Sequence, residues 1–235
     1  MSMTYYAAGP ERAAKVQALF ARIASRYDLL NDLQSLGAHR RWKERAIKSV
    51  APRAGDRILD LCCGTGDLAQ LFAARGMQVT AVDFNFPMLE VAKSRSGAER
   101  ISWIQGDALK LPFPDAQFDV VTVGYGLRNL ADLNGGLREI TRVLKPGGRF
   151  ATLDFGKPNN ALWRRLYFAY LGTVTPIIGL MFAGSASAYS YILDSLKVFP
   201  GPNELRSRLQ TLGYHNLRVE TFATGAMALV TGQRQ

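Results

Sequence analysis

The sequence predicts an α/β fold built on parallel strands. Three observations support this class: short apolar runs end beside Gly or Asp, helical stretches separate the runs, and a glycine-rich loop follows the first of them. Strands that alternate with helices of this length form βαβ units with right-handed crossovers. The predicted strands cover residues 58–63, 79–83, 101–105, 118–123 and 149–154.

Helices are predicted on both sides of these strands in the chain. Residues 11–50 have apolar positions at i, i+3 and i+4 spacing, which indicates helix. The KPGG segment at 145–148 is predicted to end a helix and turn into the fifth strand. Two strand-like runs, 215–222 and 226–231, are close enough to pair as a hairpin. The predicted organisation is an N-terminal helical cap, a ligand-binding core, an apolar helical lid and a C-terminal helix with hairpin, at residues 1–50, 51–157, 158–200 and 201–235.

Composition limits the class of protein. A chain of 235 residues, 48% hydrophobic, is long enough for one sizeable core. The formal charge of +10 favours an anionic partner, but the basic residues are scattered through helices, which disfavours a nucleic-acid partner. The two cysteines, Cys62 and Cys63, are adjacent, so they can neither pair easily nor share a metal. We therefore expect no metal site and a reducing, cytoplasmic location, since the first fifteen residues also lack a secretory signal.

Residues 166–193 contain no charged side chain, a length that would allow a membrane span. Gly172, Pro176, Gly179 and Gly184 are expected to cut this run into pieces that are too short and too polar to span. Burial under the domain and shallow contact with a membrane surface both remain open for it.

The glycine loop after the first strand indicates a nucleotide-like ligand. Gly64, Gly66 and Ala69 match a dinucleotide fingerprint, a weak signal that leaves NAD and FAD open. Two carboxylates, Asp60 and Asp67, flank the loop, where they would disfavour a pyrophosphate and attract a sulfonium. Asp67 is equally explained as a residue that starts a helix.

Acidic residues also follow the next strands. Asp83 ends the second strand, 17 positions after Gly66, close to the separation at which an acid meets ribose hydroxyls. Asp107 and Ala108 follow the third strand, where an adenine edge would lie. Ligands bind at the carboxyl edge of such sheets, so these residues are expected to share one site. The predicted cofactor contacts are Asp60, Gly64, Gly66, Asp83, Phe84, Asp107, Ala108 and Gly124, and the family resemblance described next implies Thr65 as well.

Together these segments resemble the class I S-adenosylmethionine-dependent methyltransferases. They are more closely similar to the ubiquinone/menaquinone biosynthesis C-methyltransferase family, whose members methylate a ring carbon of a prenylated quinol. The similar segments cover most of the chain in order, and the most specific are YDLLND, GLRN and YSYILDSLKVFP. The resemblance implies S-adenosylmethionine as cofactor and a seven-stranded Rossmann-like sheet with helices on both faces. It also implies an antiparallel C-terminal hairpin and a substrate pocket under the N-terminal helices and the segment after strand five.

The resemblance further implies that Arg128 and Asn129 belong to the substrate site. Many family members have serine and phenylalanine where this chain has Gly124 and Tyr125, so a serine contact to the cofactor is not expected. Arg128 is placed to stabilise an oxyanion on the quinol, but a guanidinium keeps its proton and is not expected to act as the base. For the proton acceptor, four candidates stay open: His39, Asp28, Asp154 and Tyr27.

The expected acceptor is a demethylated menaquinol or its phytylated equivalent, with a benzoquinol of the ubiquinone pathway as the alternative. Other readings are a small-molecule or nucleic-acid methyltransferase, an NAD-linked reductase, and a non-catalytic partner in a quinone-biosynthesis complex. Because a prenyl tail is insoluble, peripheral contact with an anionic membrane is expected near Lys157, Arg164 and Arg165. A homodimer is also compatible with the sequence.

Overall fold

Seven strands form one sheet in the computed structural model, which describes residues 10–183 and 187–235. Their order is β3-β2-β1-β4-β5-β7-β6; the first five run parallel, and β7 is antiparallel to both β5 and β6. The strands are β1 Arg57–Leu61, β2 Gln78–Asp83, β3 Ile101–Gln105, β4 Phe118–Gly124, β5 Leu144–Phe155, β6 Tyr214–Phe222 and β7 Met227–Arg234. The predicted fold class, including the antiparallel C-terminal hairpin, is confirmed.

Helices precede the sheet and connect its strands. In chain order they are α1 Pro10–Ile23, α2 Tyr27–Ser35, α3 Ala38–Val50, α4 Asp67–Ala73, α5 Phe86–Lys93, α6 Leu133–Val143, α7 Ala161–Ala183, α8 Ser187–Val198 and α9 Pro202–Thr211. The helical prediction for the N-terminal region is therefore correct, and the structure resolves it into three helices.

The parallel strands are buried on both faces. Along β1, Ile58 packs in one apolar cluster with Phe72 of α4, whereas its neighbour Leu59 packs in another with Leu137 of α6. This alternation follows from the two-residue side-chain period of a strand. A third apolar cluster joins α2 to α7 and α8 and contains Leu30. The helices α1, α2 and α7 thus lie beside the carboxyl ends of the strands.

Two predicted boundaries shift. The first strand was predicted to reach residue 63, but it ends at Leu61 because Cys62 adopts a left-handed backbone with φ of 55°. The KPGG segment does turn between α6 and the paired part of β5. Leu144 pairs with Phe118 and Arg149 with Val120, so residues 145–148 form a bulge between the two pairs.

The expected interruptions in the charge-free run are partly wrong. The helix α7 continues from Ala161 to Ala183 through Gly172, Pro176 and Gly179. Nearby hydroxyls bond back to the helix, Thr173 to the carbonyl of Ala169 and Thr175 to that of Leu171. Gly184 lies outside the described residues. Within residues 10–183 and 187–235, none of the helices combines the length and hydropathy that a membrane span requires.

Candidate active site

Loops that follow β1, β2, β3 and β4 enclose a cavity of about 130 Å³ at the carboxyl ends of these strands, which we call the strand-edge cavity. Helix α1 contributes to its roof through Val16 and Gln17. Six of the predicted cofactor residues line it, namely Gly64, Asp83, Phe84, Asp107, Ala108 and Gly124. Parallel strand order therefore gathers residues that are up to 60 positions apart in the chain (124 − 64).

Asp83 is held rigidly at the end of β2. Its Oδ2 accepts a hydrogen bond from the backbone N–H of Gly64 at 2.7 Å, and its Oδ1 accepts one from that of Asn85 at 2.8 Å. Burial raises the pKa of the Asp83 carboxyl, and the backbone N–H groups oppose this rise. Each carboxylate oxygen keeps a further lone pair, so this side chain can accept hydrogen bonds from two hydroxyls of a ligand.

Asn85 is a site residue that the sequence analysis missed. It is buried and caps α5, where its Oδ1 accepts a hydrogen bond from the N–H of Met88. Its Nδ2 donates to the carbonyl of Gln17 in α1 at 2.7 Å. Asn85 therefore fixes the roof helix over the strand-edge cavity. The Asn-x-Pro start of α5 was a visible capping signal, but its bond to α1 could not be seen in the sequence.

Three predicted cofactor residues lie behind the strand-edge cavity and do not line it. Asp60 accepts hydrogen bonds from the N–H of Ala69 and the hydroxyl of Thr122, both at 3.0 Å, so it ties α4 and β4 to β1. Burial raises the pKa of Asp60 to about 7. Thr65 donates its hydroxyl to Asp28 of α2. At Gly66 an added Cβ would lie 2.5 Å from the ring of Trp103, so only glycine fits there. These three residues shape and support the loop.

The charge argument based on Asp67 needs correction. Its carboxylate accepts hydrogen bonds from Lys43 at 2.5 Å and Arg95 at 2.6 Å. Burial opposes its ionisation, but these cations outweigh burial and lower the pKa of Asp67 to about 2. The negative charge is thus compensated by the protein and does not select a cationic ligand. Asp67 is the first residue of α4, as the helix-start alternative proposed.

A second and larger cavity, which we call the apolar cavity, has a volume of about 500 Å³. Residues of α2, α3, α7 and the C-terminal hairpin form its wall together with the end of β5. Most of the wall is aliphatic or aromatic, as in Ile23, Trp42 and Leu171. Phe20, Tyr27 and Tyr125 line both cavities. A group bound in one cavity can therefore approach a group bound in the other.

Arg128 lines the apolar cavity, and its buried guanidinium pairs with buried Asp154. Its Nη1 donates to Asp154 Oδ1 at 2.8 Å and to the carbonyl of Tyr125 at 2.6 Å, and the guanidinium lies 4.8 Å from the centre of the Phe155 ring. Burial raises the pKa of the Asp154 carboxyl, and the charge of Arg128 opposes this rise. Asn129, expected on the substrate side, instead lines the strand-edge cavity and donates to the same Tyr125 carbonyl.

The glycines on either side of Tyr125 lie against protein atoms. An added Cβ at Gly126 would lie 2.4 Å from Cβ of Cys62, and one at Gly124 would lie 3.0 Å from Leu68. Protein atoms therefore exclude a side chain at Gly126 and leave little room for one at Gly124. Tyr125 itself has φ of 61°, an uncommon conformation for a bulky residue that places its ring where the cavities meet.

Some buried polar atoms of residues that line the apolar cavity have no hydrogen-bond partner among the described residues. Among the described residues, Gln34 Nε2 and Tyr125 Oη are buried and have no hydrogen-bond partner, and both residues line this cavity. An unsatisfied buried polar group costs roughly 1–3 kcal/mol. The cavity is thus suited to a ligand that is mostly apolar and carries oxygen atoms.

The four candidates for the proton acceptor have different surroundings. Asp28 accepts the hydroxyl of Thr65, and Asp154 is engaged by Arg128. Tyr27 lines both cavities, but burial raises the pKa of its phenol. His39 lines the apolar cavity, and burial lowers its pKa. Of the four, His39 combines a position on the apolar cavity with a neutral side chain that can still accept a proton at neutral pH.

Solved structures that share this fold include methyltransferases. A SAM-dependent methyltransferase from Thermotoga maritima, described as a possible histamine N-methyltransferase, aligns with a TM-score of 0.65 and 19% identity over 93% of this chain and 99% of that chain. Phosphoethanolamine N-methyltransferase 2 of Haemonchus contortus, in complex with S-adenosyl-L-methionine, aligns with a TM-score of 0.62 and 19% identity over 83% of this chain and 52% of that one. At such identities only the fold is established. It is that of the class I methyltransferases.

The family follows from closer relatives. The sequence matches the ubiE/COQ5 methyltransferase family over residues 10–234. It is 40% identical to the ubiquinone/menaquinone biosynthesis C-methyltransferase UbiE of Rubrivivax gelatinosus, over 95% of this chain and 88% of that protein. It is 38% identical to the demethylmenaquinone methyltransferase of Staphylococcus aureus, over 94% of this chain and 93% of that protein. The chain belongs to the ubiE/COQ5 family and is a SAM-dependent methyltransferase.

The strand-edge cavity fits S-adenosylmethionine, the cofactor of these enzymes. Its described wall contains no Lys or Arg, which agrees with a ligand that has no phosphate. Asp83 offers lone pairs for the ribose hydroxyls, and Phe84 and Ala108 offer apolar contacts for an adenine. A Cβ at Gly64 would project to within 4.0 Å of Met88 and Tyr27, so the glycine leaves this space open. The NAD-linked alternative is thereby excluded by family and wall chemistry together.

Proposed function

We propose that this enzyme transfers the methyl group of S-adenosylmethionine to a ring carbon of a prenylated quinol. The observation that carries the proposal is the junction of the two cavities at Tyr27 and Tyr125. A cofactor in the strand-edge cavity and an apolar acceptor in the second cavity would meet there. The unpaired atoms of Gln34 and Tyr125 match an acceptor whose ring carries oxygens.

The preferred acceptor is a naphthoquinol that lacks its ring methyl group. The S. aureus relative is named for demethylmenaquinone, and the R. gelatinosus relative is named for both the ubiquinone and the menaquinone pathways. Both names include menaquinone, whose precursor is a naphthoquinol. We therefore place the naphthoquinol first. A benzoquinol of the ubiquinone pathway is the second candidate. A purely non-catalytic role is disfavoured because the two cavities share Tyr27 and Tyr125, so that a cofactor and an acceptor could meet there.

Each part of the site has a role in this reaction. Bound S-adenosylmethionine supplies a methyl group activated by a sulfonium. The apolar wall excludes water and holds the ring in line with that methyl. The ring carbon becomes nucleophilic when the adjacent hydroxyl loses its proton, and Arg128, on the same wall, is suited to stabilise the resulting oxyanion. Asp154 fixes the guanidinium in place.

A panel assay tests the proposal. The protein is incubated with methyl-labelled S-adenosylmethionine and short-chain demethylated naphthoquinols or benzoquinols kept reduced by dithionite. We expect labelled product with a new carbon-bound methyl, formed fastest from a naphthoquinol. Faster methylation of the benzoquinol would reverse the order of the two acceptors. Cofactor binding without methylation of either quinol would favour the non-catalytic role.

We also propose that the mouth of the apolar cavity lies on a membrane surface. Leu36, Leu166 and Tyr170 line this cavity and are exposed, Leu36 to 94%. Along α7 the exposed apolar side chains continue as Leu162, Val174, Ile177, Leu180 and Met181. A prenyl tail could pass from lipid into the cavity between these side chains, with Arg164 and Arg165 available to anionic headgroups.

Vesicle flotation tests this second proposal. At low salt we expect the protein to float with phosphatidylglycerol vesicles and less with phosphatidylcholine vesicles. The variant with Leu36→Gln and Leu166→Gln should float weakly, whereas Leu212→Gln, on the far side of the sheet, should behave as the wild type. Failure of the wild type to float with either vesicle would remove the membrane proposal and leave the methyl transfer untouched.

A further inference from the structure

His39 is positioned at the wall of the apolar cavity by the junction between two helices. It is the second residue of α3 and follows the turn at Gly37, which has φ of 75°. The side chain is 5% exposed and faces the apolar cavity. One turn further along α3, the ammonium of Lys43 lies 5.7 Å from the centre of the Tyr125 ring. Helix α3 thus contributes His39 to the wall of the apolar cavity and Lys43 to the ring of Tyr125, where the two cavities meet.

Hydrogen bonds determine which nitrogen of His39 carries the proton. The hydroxyl of Ser35 donates its one proton to the carbonyl of Asn31 at 2.7 Å. Ser35 Oγ can therefore only accept from His39 Nδ1, which lies 2.8 Å away. This bond places the proton on Nδ1 and leaves the lone pair on Nε2. In the neutral imidazole, Nε2 is consequently a proton acceptor.

The surroundings of His39 favour a neutral imidazole before the reaction and can stabilise the ring once Nε2 has taken a proton. Burial and the charge of Lys43 lower the pKa of His39 below 6.5, and Asp32 and Asp67 oppose this fall while Arg40 adds to it. Nε2 lies 3.7 Å from Asp32 Oδ1, too far for a hydrogen bond but close enough for an ion pair once the ring is charged. Asp32 is fixed by two hydrogen bonds from Arg40.

We propose that His39 is the catalytic base that removes the proton from the quinol hydroxyl next to the methyl-accepting carbon. The inference rests on the proposed function and adds the residue that the sequence left open. The O–H bond breaks with its electron pair kept by oxygen, and Nε2 takes the proton. Asp32 then acts as a positioning residue that stabilises the imidazolium.

The remaining steps balance without any other co-reactant. The ring carbon forms a bond to the methyl carbon, and the electron pair of the broken carbon–sulfur bond stays on sulfur. The methylated carbon next loses its hydrogen to solvent as a proton, which restores the aromatic ring as its oxyanion. The imidazolium returns its proton to that oxygen. One proton per turnover is released to solvent, and His39 ends neutral.

Variants at His39 test the inference in the panel assay with a short-chain demethylated naphthoquinol. We expect His39→Asn to lower kcat by about 100-fold or more, with the Kd for S-adenosylhomocysteine and the KM for the quinol nearly unchanged. Added imidazole should restore part of the activity of His39→Ala because the side chain faces a cavity. The matched control is His215→Gln on β6, which changes the other histidine of the chain and should keep wild-type kcat.

The pH profile separates a base from a structural residue. Wild-type kcat should fall on the acid side with a midpoint below 6.5, since Nε2 must be unprotonated. Asp32→Asn should move this midpoint to lower pH because the imidazolium loses its carboxylate partner. A folded His39→Asn with kcat within a few-fold of wild type and the same acid limb overturns the inference and leaves the proposed function standing. A wild type that methylates no quinol overturns the proposed function itself.

Discussion

The strand-edge cavity and the apolar cavity share Tyr27 and Tyr125, but their polar atoms differ. In the strand-edge cavity, both oxygens of Asp83 and the side-chain amide of Asn85 have protein partners. In the apolar cavity, Gln34 Nε2 and Tyr125 Oη have none among the described residues. The first cavity is preorganised by the fold, whereas the second obtains its missing hydrogen bonds from its ligand.

This difference matches the two ligands. S-adenosylmethionine presents the same polar groups in every methyltransferase of this class, so a rigid set of partners suits it. A quinol presents a few oxygens on an apolar body, and a hydrophobic wall with a few polar atoms suits such a molecule. The charged pair of Arg128 and Asp154 is the exception on the apolar wall, because the two side chains bond to each other before the ligand arrives.

The largest expected effect is on that pair. Arg128→Leu leaves the Asp154 carboxylate buried without its cation, so we expect the free energy of unfolding to fall by about 3–5 kcal/mol in urea denaturation. Arg45→Leu is the matched control, since its pair with Glu220 is exposed and is worth about 1 kcal/mol or less. Replacing both Arg128 and Asp154 by Leu should recover much of the loss. Equal losses in Arg128→Leu and Arg45→Leu would show that the pair does not stabilise the apolar wall.

The second effect concerns the rigidity of the strand-edge cavity. In Asp83→Asn, the amide nitrogen meets one of the two backbone N–H groups that the carboxylate accepts, those of Gly64 and Asn85. We expect the affinity for S-adenosylhomocysteine to fall about 100-fold, or roughly 2.7 kcal/mol, in isothermal titration. Glu90→Gln on α5 removes an exposed carboxylate nearby and should bind as the wild type does. Unchanged affinity in Asp83→Asn would contradict the role of this carboxylate.

The third effect is a pH dependence of the free energy of unfolding that is caused by Asp67, the first residue of α4. The pKa of Asp67 falls from 3.8 to about 2 on folding. Because the folded pKa is the lower one, this group stabilises the fold above pH 4 by about 2 kcal/mol, and the contribution disappears as the pH falls to about 2. In urea denaturation, the stability difference between wild type and Asp67→Asn should therefore shrink over this interval. Parallel curves for the two proteins would rule out the ion pairs with Lys43 and Arg95 as its cause.

The smallest expected effect is that of Gln34→Met, which should raise the stability of the protein but weaken its use of the quinol. Gln34→Met replaces an unsatisfied amide by an apolar group of similar size, so the ligand-free protein should gain up to about 1 kcal/mol of stability. The same variant should raise the KM for the quinol about 10-fold, since one hydrogen bond to the ring is lost. Gln233→Met, near the C-terminal end of β7, is the control and should leave KM unchanged. A gain in stability with unchanged KM would show that Gln34 does not contact the acceptor.

Local patterns in the sequence predicted the loops of the strand-edge cavity but not its roof, which α1 and Asn85 form. Strand ends, the spacing of Gly66 and Asp83, and the acid after β3 all lie within short windows, and parallel pairing then brings them to one edge. The apolar cavity depends on how distant segments pack, since Gln34 of α2 and Thr175 of α7 both line it. The family resemblance located the substrate pocket in general terms, but hydrophobic periodicity does not reveal which side chains face a cavity.

Other differences have specific physical causes. The glycines beside Tyr125 lie against Cys62 and Leu68, contacts that the sequence does not reveal. The charge of Asp67 is compensated by Lys43 and Arg95. Lys43 belongs to an earlier helix and Arg95 follows a later one, so neither partner is visible near Asp67 in the sequence. Glycine and proline did not interrupt α7, where threonine hydroxyls bond to helix carbonyls. Each of these outcomes depends on a contact that no local window contains.

A structure of the ternary complex tests the two-cavity account most directly. The protein would be crystallised with S-adenosylhomocysteine and an oxidised short-chain demethylated naphthoquinone, which cannot react. We predict the nucleoside in the strand-edge cavity with its ribose on Asp83, and the quinone ring in the apolar cavity with its unmethylated carbon facing the sulfur between Tyr27 and Tyr125. A quinone bound outside the apolar cavity, or with that carbon turned away from the sulfur, would contradict the account.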